Sequence, residues 1–184
     1  LLILLCLPMI GFSTNHTVNS GSYYYTPSNF TIDVGDTVTW LNNGGLHNVN
    51  FDISVITGNS FGNPESFASA PTTGPVLYTH VFTIPGSYSY DCFVGNHAAA
   101  GMVGSITVNP PTDCDGIVNG IAALDSCGTC HKSYVYAGMG VLNYVDTYAD
   151  TLNFKGFFIL AGSPMDQQFN PNWINDPNSC SNTI

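Results

Sequence analysis

The sequence has very little positive charge, with no arginine and only two lysines, Lys132 and Lys155, against 12 acidic residues. The formal net charge is -10. Such a chain repels the phosphates of nucleic acids and the head groups of anionic membranes, so neither is expected as a partner. If charge guides the chain to another protein, we expect that protein to be cationic.

Charged residues of both signs make up only 8% of the chain, yet the composition is not that of a disordered protein. Hydrophobic residues account for 44% and aromatic residues for 12%, so a folded chain can bury enough apolar surface to offset the entropy lost on folding. Tyr, Phe, Thr, Val and Ile are common, and Gly and Pro interrupt them often, which is typical of strands and turns. An all-β fold class is predicted.

No apolar run is long enough to cross a bilayer as a helix. Residues 1–10 have the length of a signal-peptide core, and Gly11 and Ser13 are small residues at the positions that a signal peptidase reads, if cleavage follows Ser13. We therefore predict that residues 1–13 are a signal peptide whose start is missing, and that the mature protein is secreted or periplasmic without a transmembrane segment. A buried N-terminal strand is the alternative.

Short strand-like segments alternate with turns between residues 18 and 108. Apolar and polar residues alternate through residues 30–34, 37–40 and 87–92. This pattern is typical of an antiparallel β-sandwich, and it predicts a first domain at residues 14–108. Residues 54–75, rich in Ser, Gly, Asn, Pro and Ala, predict a long connection with room for one helical turn.

The chain changes character after the proline-containing segment 109–112, which predicts a stiff linker. Residues 113–184 show no clean 3.6-residue apolar period, so a helical module is not indicated. We predict instead a small, turn-rich C-terminal module that is braced by disulfides, with the pairing left open. The cysteines of this module are Cys114, Cys127, Cys130 and Cys180.

Cys92 stands apart from these cysteines, at the end of a strand-like segment. His97 follows five residues later, and Met102 five residues after that, just before the next strand-like segment. Thiolate, imidazole and thioether ligands suit copper in both of its oxidation states. Gly95 and Gly101 let the loop bend around one ion. The segment therefore predicts three ligands of a copper site.

A trigonal copper site needs a second imidazole, and the best candidate is His47, which follows a strand-like segment and a glycine pair. Asn48 is then placed to form a hydrogen bond across to the loop that carries Cys92. His16 and His80 are weaker candidates, because the first is close to the predicted cleavage site and the second lies within a strand-like segment.

Residues 18–108 resemble the cupredoxin family, the plastocyanin and azurin group of blue copper proteins. The resemblance is carried by residues 30–40, His47, Asn48, Cys92, His97 and Met102. It implies a Greek-key β-sandwich and one type 1 copper ion bound by His47, Cys92, His97 and Met102. It also implies single-electron transfer between redox partner proteins. The spacing from Cys92 to His97 is longer than in plastocyanin and is similar to that of azurins and plant phytocyanins.

An electron carrier is predicted rather than an enzyme. A dinuclear copper centre would need a second cysteine in the loop that holds Cys92, and five histidines cannot supply the additional motifs of a multicopper oxidase or nitrite reductase. A non-redox protein that binds or delivers copper remains an alternative.

The C-terminal module offers two further possibilities. One is a covalently attached haem, which would give a two-centre copper–haem protein, because the sequence of residues 127–131, Cys-Gly-Thr-Cys-His, fits the c-type attachment pattern. The other is calcium, for which Asp113, Asp115, Asn119 and Asp125 are possible oxygen ligands. Disulfides are the interpretation that we favour for the cysteines.

Overall fold

The computed structural model of the protein describes residues 13–170, 172–175 and 180. Apart from Ser13, the predicted signal peptide lies outside these residues. The chain divides into two compact units between Pro110 and Pro111, inside the segment predicted as a linker. No helix among the described residues is both long and apolar enough to cross a membrane.

The described part of the first unit, from Ser13 onward, is built from seven strands in two sheets. The strands are β1 (Asn15–Gly21), β2 (Tyr24–Thr26), β3 (Asn29–Asp33), β4 (Thr37–Asn42), β5 (Val76–Val81), β6 (Gly86–Asp91) and β7 (Val103–Asn109). One sheet has the order β2-β1-β4-β5 and the other the order β3-β7-β6. Buried side chains from both sheets form one hydrophobic core, so the unit is a β-sandwich, as predicted.

Alternation of side chains explains how the strands face this core. In β4, Val38 and Trp40 are buried while the residue between them is partly exposed, and in β6, Tyr88 and Tyr90 are buried while the residue between them is exposed. Because successive side chains of a strand point to opposite faces, two inward positions per strand suffice to anchor it. Trp40 and Tyr90 meet edge to face in the core, with ring centroids 5.7 Å apart.

The sheets are mixed, whereas the sequence pattern had suggested antiparallel strands throughout. Strand β1 pairs with β4 in parallel, and β3 pairs with β7 in parallel. The reason is that the chain changes sheet between β2 and β3, so strands that are neighbours in space are no longer joined by tight turns. Alternation within one strand carries no information about the direction of its neighbour.

The connection at residues 54–75 contains turns, bends and isolated bridges, and one helical turn in which Gly58 N–H donates to Ser54 O at 2.8 Å, in line with the room predicted for one. Side-chain hydrogen bonds hold the rest of the connection against the sandwich. Asn63 donates to the carbonyl oxygens of Phe51 and Ser89, each at 2.8 Å, and the Ser69 hydroxyl accepts from the backbone N–H of Val49 at 3.0 Å. Asn and Ser side chains that bond to the backbone in this way compete with helix formation.

The second unit is small and rich in turns, as predicted. Its strands are β8 (Ala123–Leu124), β9 (Cys130–His131), β10 (Ser133–Tyr136), β11 (Leu142–Val145) and β12 (Phe157–Ile159), and it also has a 3₁₀ helix (Tyr148–Asn153) and a short helix α1 (Pro164–Phe169). A three-stranded sheet has the order β11-β10-β12. Ile121, Val135 and Val145 form its apolar cluster, which is much smaller than the core of the first unit.

Two disulfides brace this unit, Cys114–Cys130 and Cys127–Cys180. Both cysteines of the possible haem motif are thus engaged, and His131 Nε2 lies 3.0 Å from Asp125 Oδ2. With this pairing, neither thiol is free to form a thioether bond to haem. The structure gives the copper–haem alternative no support.

Two of the acidic residues considered for calcium, Asp113 and Asp125, close turns of their own backbone, and Asp115 pairs with Lys132 at 2.9 Å. Asp113 accepts hydrogen bonds from the backbone N–H groups of Asp115, Ile117 and Ala122 at 2.9–3.0 Å. Asp125 Oδ1 accepts from Cys127 and Thr129, each at 2.9 Å. Carboxylates in such turns are common without a bound cation.

The pairing predicts one free thiol per chain in the metal-free, non-reduced protein that begins at Thr14. Thiol titration under denaturing conditions should give a value of one for this protein and zero for the Cys92→Ser variant. The Cys127–Cys180 bridge closes the longer loop, with a sequence separation of 53 against 16. Removal of this bridge should therefore lower the free energy of unfolding of the second unit by about 2–4 kcal/mol, a larger loss than removal of the Cys114–Cys130 bridge causes. More than one free thiol would contradict the pairing.

Candidate metal centre

The loop between β6 and β7 is closed by its own backbone hydrogen bonds. Cys92 N–H donates to Met102 O at 3.2 Å, and Met102 N–H donates to His97 O at 3.0 Å. His97 N–H in turn donates to Val94 O at 3.1 Å. Cys92, His97 and Met102, which were predicted from their spacing, are therefore neighbours in space.

His47 lies in the segment that follows β4, and its backbone is fixed on both sides. It forms an antiparallel bridge with Thr72, in which His47 N–H donates to Thr72 O at 3.2 Å and Thr72 N–H donates back at 2.9 Å. Gly45 has a φ of +98°, and a Cβ atom at this position would lie 2.7 Å from His47 Nε2. Only glycine tolerates both that conformation and that close approach.

Three potential ligand atoms converge where these segments meet. The Nδ1 atoms of His47 and His97 are 3.1 Å apart, and Cys92 Sγ lies 3.5 Å from His97 Nδ1. The ligand atoms of all three residues lie within 4.8 Å of one another, a grouping that can hold one metal ion. His47 and Cys92 are buried, whereas His97 is partly exposed.

The environment of His47 favours a neutral ring with Nδ1 free to bind. Its Nε2 lies 3.1 Å from the carbonyl oxygen of Gly44, which can only accept a hydrogen bond, so Nε2 carries the proton. Burial, followed by the charge of His97, lowers the pKa of His47 below its usual value. The lone pair of Nδ1 is thus available on the side that faces Cys92 and His97.

Met102 is fully buried, and its backbone hydrogen bonds hold it beside Cys92 and His97. The two weaker histidine candidates lie elsewhere. His16 pairs with Asp36 at 2.8 Å, and His80 pairs with Glu65 at 3.1 Å. Neither belongs to the group of three potential ligands.

Hydrogen bonds of the Asn48 and Tyr25 side chains help to tie the segment with His47 to the segment with Cys92. The side chain of Asn48 accepts from the backbone N–H of Phe93 at 2.9 Å, which confirms the role predicted for Asn48. The hydroxyl of Tyr25 donates to Asn48 O at 2.5 Å and approaches Asp91 O at 3.3 Å. Burial and nearby Cys92 raise the pKa of Tyr25, so this hydroxyl remains a donor.

Sequence reasoning missed Tyr25, and it also missed Tyr23. The ring of Tyr23 meets that of His97 edge to face, with centroids 5.0 Å apart. A run of three tyrosines, Tyr23 to Tyr25, is visible in the sequence. The neighbouring residues do not indicate that the Tyr23 ring contacts His97, or that the Tyr25 hydroxyl forms hydrogen bonds with the backbone of the two ligand segments. Both contacts depend on how β2 lies beside the ligand loops.

A family model described as copper binding proteins, plastocyanin/azurin family, matches residues 12–109. The chain belongs to this family. The match covers the first unit, and the second unit lies outside it.

Individual relatives match over about half of the chain. Over 95 residues it is 37% identical to the chloroplastic plastocyanin of Oryza sativa subsp. indica, a match covering 50% of this chain and 58% of that relative. It is 41% identical over 97 residues to the plastocyanin of Cucumis sativus, a match that covers 50% of this chain and 93% of that relative. Among solved structures, reduced auracyanin from Roseiflexus castenholzii matches with a TM-score of 0.41 and 23% identity, covering 54% of this chain and 100% of that one.

Copper is the metal that this family binds, and the donor set of this chain fits it. Two imidazole nitrogens and a thiolate are borderline and soft ligands, which suit copper better than the oxygen ligands that calcium or magnesium prefers. The only group of three or more His, Cys, Asp or Glu residues with this geometry among the described residues is the one formed by His47, Cys92 and His97.

The Tyr25 hydroxyl should stabilise the apoprotein as well as position the loops. Tyr25→Phe leaves the buried Asn48 carbonyl without this donor, so the free energy of unfolding should fall by about 1–2 kcal/mol. Tyr24→Phe is the matched control, because its more exposed hydroxyl only accepts from Asn43 and its loss should change stability by less than about 0.5 kcal/mol. Urea unfolding measures both, and equal losses would contradict the assignment.

Proposed function

We propose that the chain binds one copper ion as a type 1 centre and carries single electrons between partner proteins outside the cytoplasm. The proposed ligands are His47, Cys92, His97 and Met102. The observation that carries the proposal is the convergence of two imidazole Nδ1 atoms and one thiol within 4.8 Å. A non-redox role in copper delivery is the alternative, and no contact among the described residues of the first unit favours it.

When bound, copper supplies a one-electron couple between its two oxidation states. The protein contributes a ligand cage that is already assembled, because His47 is fixed by Thr72 and Cys92 by Met102. A cage of this kind changes little between the oxidised and the reduced state, which keeps the barrier to electron transfer low. The surrounding core excludes water from His47 and Cys92.

Electrons would enter and leave at His97, the one potential ligand of the three with a partly exposed side chain. A shallow pocket beside it is lined in part by Tyr23, Leu46 and Val94. Tyr23 and Leu46 are large apolar side chains that are about half exposed. A small surface that exposes such apolar side chains suits a partner that must come close and leave quickly.

Charge and cysteine usage support the remaining parts of the proposal. Residues 13–110 contain five carboxylates and neither lysine nor arginine, so a cationic partner would be steered toward this unit. The two disulfides of the second unit are typical of proteins that fold in an oxidising compartment. This chemistry supports a secreted or periplasmic location.

The central test is the visible colour of the copper-loaded protein. Charge transfer between the Cys92 thiolate and oxidised copper should give an intense absorption band and the EPR signal of a type 1 site. Cys92→Ser should abolish the band even where the two histidines still retain copper. A double Cys114→Ser, Cys130→Ser variant, which removes sulfur outside the site, should keep it. A coloured Cys92→Ser protein would refute the assignment.

A second test concerns the axial ligand. An amide oxygen is a harder ligand than a thioether and favours the oxidised ion, so Met102→Gln should lower the reduction potential and keep a thiolate band. Met139→Gln is the matched control, because Met139 is fully exposed in the second unit. Voltammetry also separates the two functions, since a carrier shows a reversible couple. An unchanged potential in Met102→Gln would show that Met102 is not a ligand.

A further inference from the structure

Asp91 is a buried carboxylate that directly precedes Cys92. It is the last residue of β6, where Tyr88 and Tyr90 point into the core, so strand alternation would direct Asp91 outward to solvent. Its exposure is nevertheless only 1%. The burial results from the segment after β4, which covers this edge of the strand through an antiparallel bridge between Asn50 and Asp91.

Both carboxylate oxygens of Asp91 accept hydrogen bonds from N–H donors. The side-chain amide of Asn50 donates to Oδ1 at 2.7 Å, and the backbone N–H of Val55 donates to Oδ2 at 2.8 Å. A carboxylic acid would need an acceptor for its own proton, and these two contacts provide donors only. The arrangement is therefore that of a charged carboxylate.

No cationic side chain balances this charge within the first unit. Residues 13–110 contain no lysine or arginine, and none of the ion pairs among the described residues includes Asp91. Burying a carboxylate with neutral donors alone is costly, because the lost hydration is only partly replaced. The group of potential metal ligands begins at the next residue, so a bound metal ion would supply the missing positive charge.

We propose that Asp91 is the buried counter-charge of the copper site, an inference that rests on the proposed function. The carboxylate stabilises a doubly charged ion more than a singly charged one at the same position, since the attraction scales with the product of the charges. Asp91 thereby strengthens copper binding and favours the oxidised state. It acts as a positioning and tuning residue, because its carboxylate is bonded to Asn50 and Val55 and does not belong to the group of potential ligands.

The test compares Asp91→Asn with Asp52→Asn, which removes the same charge from an exposed position nearby in the chain. Equilibration with a redox mediator should show at least about a tenfold shift toward reduced protein in Asp91→Asn, which is about 59 mV for a one-electron couple. The Asp52→Asn shift should stay below about twofold. Competition with a chelator should also show weaker binding of oxidised copper to Asp91→Asn.

Two additional variants separate charge from structure. Asp91→Ser, which is neutral and smaller, should shift the equilibrium in the same direction, and it keeps the test open if Asp91→Asn does not fold. Asp91→Glu, which keeps the charge, should restore most of the wild-type potential. Amide hydrogen exchange of Val55 in the apoprotein reports the structural role alone, because it depends on the bond to Asp91 and not on copper.

The outcomes are distinguishable. If Val55 exchange accelerates in both neutral variants while their potentials match that of Asp52→Asn, Asp91 is only a structural residue and the inference is overturned. If the wild-type protein has no thiolate–copper couple at all, the proposed function fails and this inference fails with it.

Discussion

The antiparallel bridge between Asn50 and Asp91 joins the two segments from which the metal centre is built. Asn50 N–H donates to Asp91 O at 2.9 Å, and Asp91 N–H donates to Asn50 O at 3.0 Å. Asn50 lies three residues after His47, and Asp91 immediately precedes Cys92. Because β4 and β6 belong to different sheets, the sheet ladders do not fix the separation of His47 and Cys92. This bridge, extended by Asn48 and Tyr25, does so.

The aromatic core gives these segments a rigid base. Phe51, one residue after Asn50, stacks on Tyr90, one residue before Asp91, with ring centroids 4.7 Å apart. Trp40 packs edge to face against both rings. Aromatic pairs of this kind contribute about 0.5–1.5 kcal/mol beyond the area they bury. The bridge holds the two segments together through their backbones, and the stacked rings hold the same segments together in the core. The ligand atoms can therefore converge before a metal binds.

Local patterns in the sequence were sufficient to predict some features of the fold and of the metal centre, and not others. The alternation in β4 and β6, the spacing of Cys92, His97 and Met102, and the glycine pair before His47 are all local, and the structure brings the predicted residues together. The parallel pairing of β1 with β4, the disulfide partners and the contacts of Tyr25 depend on residues far apart in the chain. Asp91 shows the limit of local patterns most clearly. Strand alternation predicts that its side chain is exposed, but the segment after β4 covers the side chain and buries it.

The scarcity of charge gives each remaining carboxylate of the first unit more weight. In a protein with many lysines and arginines, nearby cations offset the field of one buried acid. Here two of the five carboxylates pair with histidines, Asp36 with His16 and Glu65 with His80. Asp33 and Asp52 are exposed, where water and salt screen their fields. Asp91 is the one that is both buried and without a cationic side chain, and it is also the one next to Cys92. The metal site thus lies where the electrostatics of the unit are least compensated, a position that favours binding a cation.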